Sequence, residues 1–190
     1  KSLLKYRYEQ LYVNERLDTA VTDEMVEQYY EAHSDKFILQ RPLVRARYLN
    51  ISAESPKLKQ LRKMMKSSDP NDLVEADSIA YSSALKFQTW NNDWVDAAEL
   101  AGEFGTDYNT LLASISGGWV EKKDTTGYIR LAYIPEMMRK GEQAPVSYSA
   151  PAIKDMIISA RKQELISGLE RDLLNDAREN GNFIIYDTKE

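Results

Sequence analysis

Apolar residues recur at helical spacing over most of the chain and switch to strict alternation between 43 and 51 and again between 118 and 134. The longest helical stretch, PAIKDMIISARKQELISGLERDLLNDAREN at 151–180, has Pro151 at its first position and Gly181 just past its end. At about 100° per residue, Ile158, Leu165, Ile166, Leu169 and Leu173 share one face, while Ile153, Met156, Ile157 and Ala160 lie on the opposite one. The opening turns of such a helix are expected to be covered from two sides. Gly168 costs up to about 1 kcal/mol relative to Ala in a helix interior, so it is either merely tolerated or marks a close backbone approach.

Upstream, residues 2–18 read as a helix with Leu4, Tyr8, Leu11 and Tyr12 on one face and Leu3, Tyr6, Val13 and Leu17 on another, again predicting cover on two sides. Thr22 reads as the N-cap of a second helix, with Asp23 and Glu24 favourable to its dipole and Val26, Tyr29, Tyr30, His33 and Phe37 as its apolar stripe. LVRARYLNI at 43–51 reads as a strand, with Val44, Ala46 and Tyr48 on one side. Leu43, Leu49 and Ile51 lie on the other, together with Arg45 and Arg47, for which a solvated face is a commoner use than an anion site. A helix follows at 56–67 with Leu58, Leu61, Met64 and Met65, then the turn SSDPND and a helix over 73–85.

Residues 86–105 read as an extended or looped segment around Trp90 and Trp94, then one or two helical turns ending at Gly102 or Gly105. Two tryptophans four apart either form a ligand platform or, more commonly, anchor a loop on the core. A short helix at 107–115 precedes strands at 118–123 and 127–134, joined at DTTG as a hairpin. Pro135 is expected to close the second strand, a linker fills 135–151, and Phe183 to Tyr186 reads as a terminal strand. All six prolines fall at these expected boundaries. The fold class is α+β, a small sheet-and-helix domain set into a helical frame.

Composition narrows the chemistry more than the fold. With 190 residues, 43% hydrophobic and 29% charged, the chain has the make-up of an ordinary globular protein, and a net charge of −5 speaks against nucleic acid as partner. There is no cysteine and one histidine, His33, so thiolate, Ser-His-Asp and multi-histidine metal chemistry lack their groups. His33 reads as a packing residue or a helix-end partner rather than a ligand. No phosphate-cradling glycine loop and no calcium-loop spacing of acidic residues occurs, so neither cofactor nor metal is expected. No apolar run is long enough to span a membrane, and the opening KSLLKYRYEQ has neither an initiator methionine nor a signal-peptide core, the expectation being a processed piece.

The phrase VTDEMVEQYYEAHSDKF followed by VRARYLNI resembles the opening of the SurA and PrsA type of periplasmic foldase, where a capped helix precedes the first strand of a parvulin-type prolyl isomerase domain. GYIRLAYI, a linker with KGEQAP and the long helix resemble that family's last parvulin strand and closing helix. The resemblance implies a discontinuous helical chaperone domain, 1–41 with 136–190, and a parvulin-like insert at 42–135. It also implies a periplasmic or cell-envelope location, with membrane tethering, if any, through a segment absent from this chain. Parvulin domains carry a histidine on the first strand and another on the last. Here the matching positions hold Tyr48, in RARYLN, and Ile129, in TGYIRL. The expected role is therefore that of a chaperone or foldase-like protein binding unfolded or extended polypeptide, its parvulin-like domain weak or inactive, with Trp90, Trp94, Trp119 and Tyr128 as candidate peptide-binding residues. Prolyl rotation makes no covalent bond and needs only a twisted, desolvated or hydrogen-bonded amide. An active isomerase working through Tyr48 is thus one alternative, and an assembly subunit with one fixed partner is another.

Overall fold

The structure, a computed structural model, describes residues 2–90 and 92–181. The terminal strand expected at 183–186 lies outside them. The elements in order are α1 (Ser2–Arg16), α2 (Asp23–Ala32), a 3-10 turn (Ser34–Lys36), β1 (Leu43–Ser52), α3 (Leu58–Lys66), α4 (Pro70–Ser83) and β2 (Ala84–Thr89). There follow β3 (Val95–Asp96), α5 (Ala97–Glu103), α6 (Tyr108–Ala113), β4 (Trp119–Lys123), β5 (Tyr128–Met138) and α7 (Val146–Glu179). The chain divides into two compact units, Lys1–Ala32 with Ser149–Glu190 and His33–Tyr148.

The second unit is built on an antiparallel sheet of strand order β2-β1-β5-β4, with β3 paired to one end of β1. β1 is buried on both faces because helices cover both. Val44, Ala46 and Tyr48 pack with Ala132 and Val120 beneath Leu100 of α5, Phe104 just past its end and Leu111 of α6. On the other face, Leu49, Ile51, Ile129 and Leu131 pack beneath Leu61 and Met65 of α3 and Ala76 and Ala80 of α4. Each fully buried Leu or Ile here contributes about 1.5–3 kcal/mol.

Several local expectations change. α4 starts at Pro70, not at residue 73: Asp69 is its N-cap, accepting the Asn71 N–H at 2.9 Å, and Pro70 fills a first-turn position that needs no N–H. It also stops at Ser83, so residues assigned to its end begin β2 instead. The segment expected to be loop around Trp90 is thus preceded by an edge strand. Pro135 does not close β5, which continues to Met138 and pairs Glu136 with Arg45. Between Arg45 and Arg47 the register shifts, and this bulge takes up Pro135, whose missing N–H is tolerated there. The residues before β1 and after β5 are tied together: Leu39 donates to Glu142, Gly141 to Leu39 and Ala144 to Phe37, at 2.8–2.9 Å. These bonds carry the sheet unit outward to His33 and Tyr148.

In the first unit Thr22 caps α2, its hydroxyl accepting the Met25 N–H at 3.2 Å. α7 begins at Val146, directly after Pro145, so Pro151 lies inside the helix rather than at its start. The two-sided cover expected of the first helix is not found among the described residues: of these only Val13 is buried in α1, and Leu3, Leu4, Tyr6, Tyr8 and Leu11 are exposed. α7 buries Ile153 and Leu169 but leaves Met156 and Leu173 exposed. Among the described residues of other elements nothing lies within 4 Å of a Cβ placed on Gly168, so no neighbouring backbone approaches it there. Arg161 holds the α1–α2 connection to α7, donating to the carbonyls of Asp18 at 2.9 Å and Ala20 at 2.7 Å, and Lys5 bonds Glu170 at 2.7 Å.

Candidate functional site

The site that the sequence points to is the face of the sheet bearing Tyr48. Alternation along β1 turns this side chain toward α5, and α5 ends against it for a sequence reason. Asp96 caps the start of that helix, accepting the Ala98 N–H at 2.8 Å. At the other end Gly105 takes φ 63°, and the N–H groups of Thr106 and Gly105 bond back to the carbonyls of Ala101 and Gly102. That turn leaves the carbonyls of Glu103 and Phe104 directed at the sheet. The sheet answers with donors: Tyr48 Oη to Glu103 O at 3.3 Å, Arg130 Nη1 to the same oxygen at 3.1 Å, and Lys122 Nζ to Phe104 O at 3.0 Å. Cationic groups at a helix C-terminus are favourable through the dipole as well.

Tyr48 is 1% exposed, its ring edge-on to Phe104 at 5.5 Å between centroids. Burial, then the nearby Glu103, raise its pKa above that of an ordinary phenol, with Arg130 opposing. The hydroxyl is therefore a protonated donor already committed to a helix end. A prolyl amide gains transition-state help only from a donor it can reach, and this one is sealed in the core.

Tyr48 and Ile129 do not form one site. Ile129 pairs with Ile51 and packs in the opposite core, while Tyr48 pairs with Ala132 and has Arg130 beside it. The aromatic residues are likewise dispersed. Trp90 packs on the Tyr48 face, Trp119 on the other with its ring 5.0 Å from Tyr133, and Trp94 lies under the Arg45 guanidinium at 4.7 Å. Tyr128 begins β5 opposite Ser52, its N–H held by Asp124 at 3.0 Å. No single platform joins Trp90, Trp94, Trp119 and Tyr128.

Arg47 corrects the solvated-face expectation: it is 7% exposed and donates to the carbonyls of Met65 and, at 2.6 Å, Ser67, at the end of α3. Arg45 reaches Glu136 at 3.1 Å. The carbonyl of His33 accepts from Lys36 at 2.9 Å and starts the 3-10 turn. Among the described residues no group of three His, Asp or Glu side chains is placed to hold a metal, and no helix is long and apolar enough to cross a membrane.

No protein-family model and no curated protein matches the chain. Among solved structures it is similar to one from Campylobacter jejuni, belonging to a description of the virulence factor PEB4 and the periplasmic protein Cj1289 as two structurally related SurA-like chaperones. Identity is 16%, the match covers 97% of this chain and 70% of that one, and the TM-score is 0.35. A likeness of that degree fixes no role.

The residues that sequence reasoning missed are Arg130, Glu103 and the exposed surface of α1. Arg130 stood in the alternating pattern of β5, yet only the register with β1 places it beside Tyr48. In α1, Leu3 is 81% and Leu4 77% exposed, and Tyr6, Tyr8 and Leu11 each exceed half exposure.

Proposed function

We propose that this chain is a chaperone-like protein of the cell envelope that holds unfolded or extended polypeptide, and that its sheet unit is a parvulin-like domain without isomerase activity. The observation that carries the reading is the surface of α1. Soluble proteins rarely leave contiguous large apolar side chains in water unless something binds there; Leu4, Tyr8 and Leu11 make such a stripe on one face of this helix, and Leu3 and Tyr6 are exposed on another. Leucine and tyrosine supply broad contact area without demanding one partner geometry. The discontinuous helical unit is then the chaperone-like part, and the sheet unit between its halves the parvulin-like part.

Sealing of Tyr48 speaks against the alternative of an isomerase working through that hydroxyl, because a client amide has no path to it without opening the α5 face. At stoichiometric amounts the protein should delay light scattering by a chemically denatured client. It should leave the cis-to-trans relaxation of X-Pro peptides on its uncatalysed scale of roughly tens to hundreds of seconds. A protein that neither delays aggregation nor binds extended peptides is not a chaperone of this kind. A relaxation rate rising in proportion to protein concentration would restore the isomerase reading.

A further inference from the structure

We propose that the outer edge of β2, with the groove between β2 and α4, is a docking site for an extended polypeptide that adds to the sheet as a further strand. This rests on the polypeptide-binding reading and gives it a place. β2 ends the strand order, so among the described residues only one of its long edges is paired. Along the paired edge Arg47 stands opposite Thr89 and Leu49 opposite Phe87. The Trp90 N–H donates to Ala46 O at 2.7 Å, which makes Arg47–Thr89 a pair whose own amides point away from each other, and the period of the ladder repeats this at Leu49–Phe87. Phe87 and Thr89 therefore turn N–H and C=O outward, and among the described residues no backbone bond from another element reaches them. Outward donors and acceptors at strand spacing match one chemistry, a second extended backbone.

The groove beside this edge fits side chains. Phe87 packs toward Ala76 and Ala80 of α4, so that face of β2 looks at the helix. One hollow of about 380 Å³ is bounded by Tyr81, Leu85 and Phe87. A second, of about 540 Å³, is bounded by Leu73, Val74 and Thr89, and Asp77 lines both. Alternate side chains of an added strand, about 6.6 Å apart on one face, would meet the two hollows in turn. Tyr81, Val74 and Leu85 are 93%, 71% and 64% exposed, so their apolar surface is not spent on the core.

Charge selects the occupant further. α4, PNDLVEADSIAYSS, carries Asp72, Glu75 and Asp77 and no lysine or arginine. The cations at the groove's ends are engaged elsewhere, Arg47 by the carbonyls of Met65 and Ser67 and Lys86 by Glu103. What faces the groove is the exposed Asp77 carboxylate. The partner is thus an extended segment with apolar residues at alternate positions and a lysine or arginine beside them.

The test uses the full chain and a fluorescein-labelled peptide alternating leucine and threonine with a terminal lysine, followed by fluorescence anisotropy. N-methylation of one alternate set of peptide amides should weaken binding about tenfold, and methylation of the other set should not, because only one set can face β2. Thr89→Pro removes an outward N–H without breaking a ladder bond, and Asp77→Lys reverses the charge at the groove. Each should weaken binding several-fold while circular dichroism stays that of the parent. Equal loss from both methylated sets, or unchanged affinity in both variants, overturns the edge site. If the parent protein still delays client aggregation in that case, the chaperone reading stands without it. If the parent neither binds the peptide nor delays aggregation, both readings fall.

Discussion

Replacing Tyr48 by Phe deletes a single hydroxyl from a fully buried aromatic of the sheet unit, and its cost can be worked from the contacts. The lost bond is a neutral one to Glu103 O at 3.3 Å, at the weak end of the distance range. A neutral hydrogen bond is worth about 0.5–1.5 kcal/mol net. The acceptor is not orphaned, because Arg130 still donates to it at 3.1 Å, and the phenyl ring keeps its edge contact with Phe104. The expected loss is therefore about 0.5–1 kcal/mol, read as a lowered urea midpoint with an unchanged m-value.

A second limb comes from titration. The folded-state pKa of Tyr48 is raised, chiefly by burial. The neutral phenol therefore contributes stability that is complete below the unfolded value near 10 and is lost as pH rises through the folded value. Unfolding midpoints of the parent and the Tyr48→Phe variant should converge in alkali. The prolyl isomerisation rate should not move at any pH. A loss above about 3 kcal/mol would mean that Arg130 does not keep the Glu103 carbonyl satisfied once the hydroxyl is gone, and a drop in isomerisation rate would refute the sealed-site reasoning outright.

Arg47→Met should cost about 2–4 kcal/mol in urea unfolding, because it takes a charge-assisted donor from two carbonyls at the end of α3. Asp107 caps α6, and the Thr110 hydroxyl and amide hold its carboxyl below the usual carboxylate range. Its stabilisation is present above the unfolded value of 3.8 and lost as pH falls through the folded one, so Asp107→Ala should lower the urea midpoint at neutral pH and match the parent in strong acid. Pro151→Ala restores an N–H inside α7 and should raise the Tm, by up to ~3 kcal/mol of stability, as followed by circular dichroism. The triple change Leu3→Ser, Leu4→Ser, Tyr6→Ser should alter unfolding by no more than about 0.5 kcal/mol per substitution, since these side chains are exposed, yet shorten the lag in client aggregation.

Alternation made β1, β4 and β5 legible, and the Thr22 cap made α2 so, because a strand with one dominant pairing or a helix with a side-chain cap writes its signal locally. β2 escaped because Ala84 continues the helical spacing of Leu73, Ala76 and Ala80. What ends α4 is local bonding, with Ser83 Oγ donating to Ile79 O at 2.7 Å and Ala84 turning to ψ 156°. The Asp69-Pro70 start was present in the sequence as a cap followed by proline at the first helical position, but its composition is also that of a turn. α1 misled for a different reason: spacing shows which faces are apolar, and says nothing about whether anything covers them.

The Tyr48 face was illegible because both sets of β5 residues are apolar enough for a core. Ile129 and Leu131 serve one face, Ala132 and Ile134 the other, and which set meets Tyr48 depends on the bulge at Arg45–Arg47, a tertiary feature. Two helices end against this sheet from opposite sides, and each end presents carbonyls that must be satisfied. Arg47 answers α3 on one face; Arg130, Lys122 and Tyr48 answer α5 on the other. A buried Arg47 and a half-buried Arg130, which look misplaced on strands, are thus the counterpart of helix ends that the sequence cannot orient. The same logic bears on catalysis. A hydroxyl that closes the end of α5 is held in a protonated, enclosed and occupied state, and a donor in that state has no free valence for a client amide. To help rotate a prolyl bond the Tyr48 hydroxyl would first have to leave the end of α5, and the geometry keeps it there.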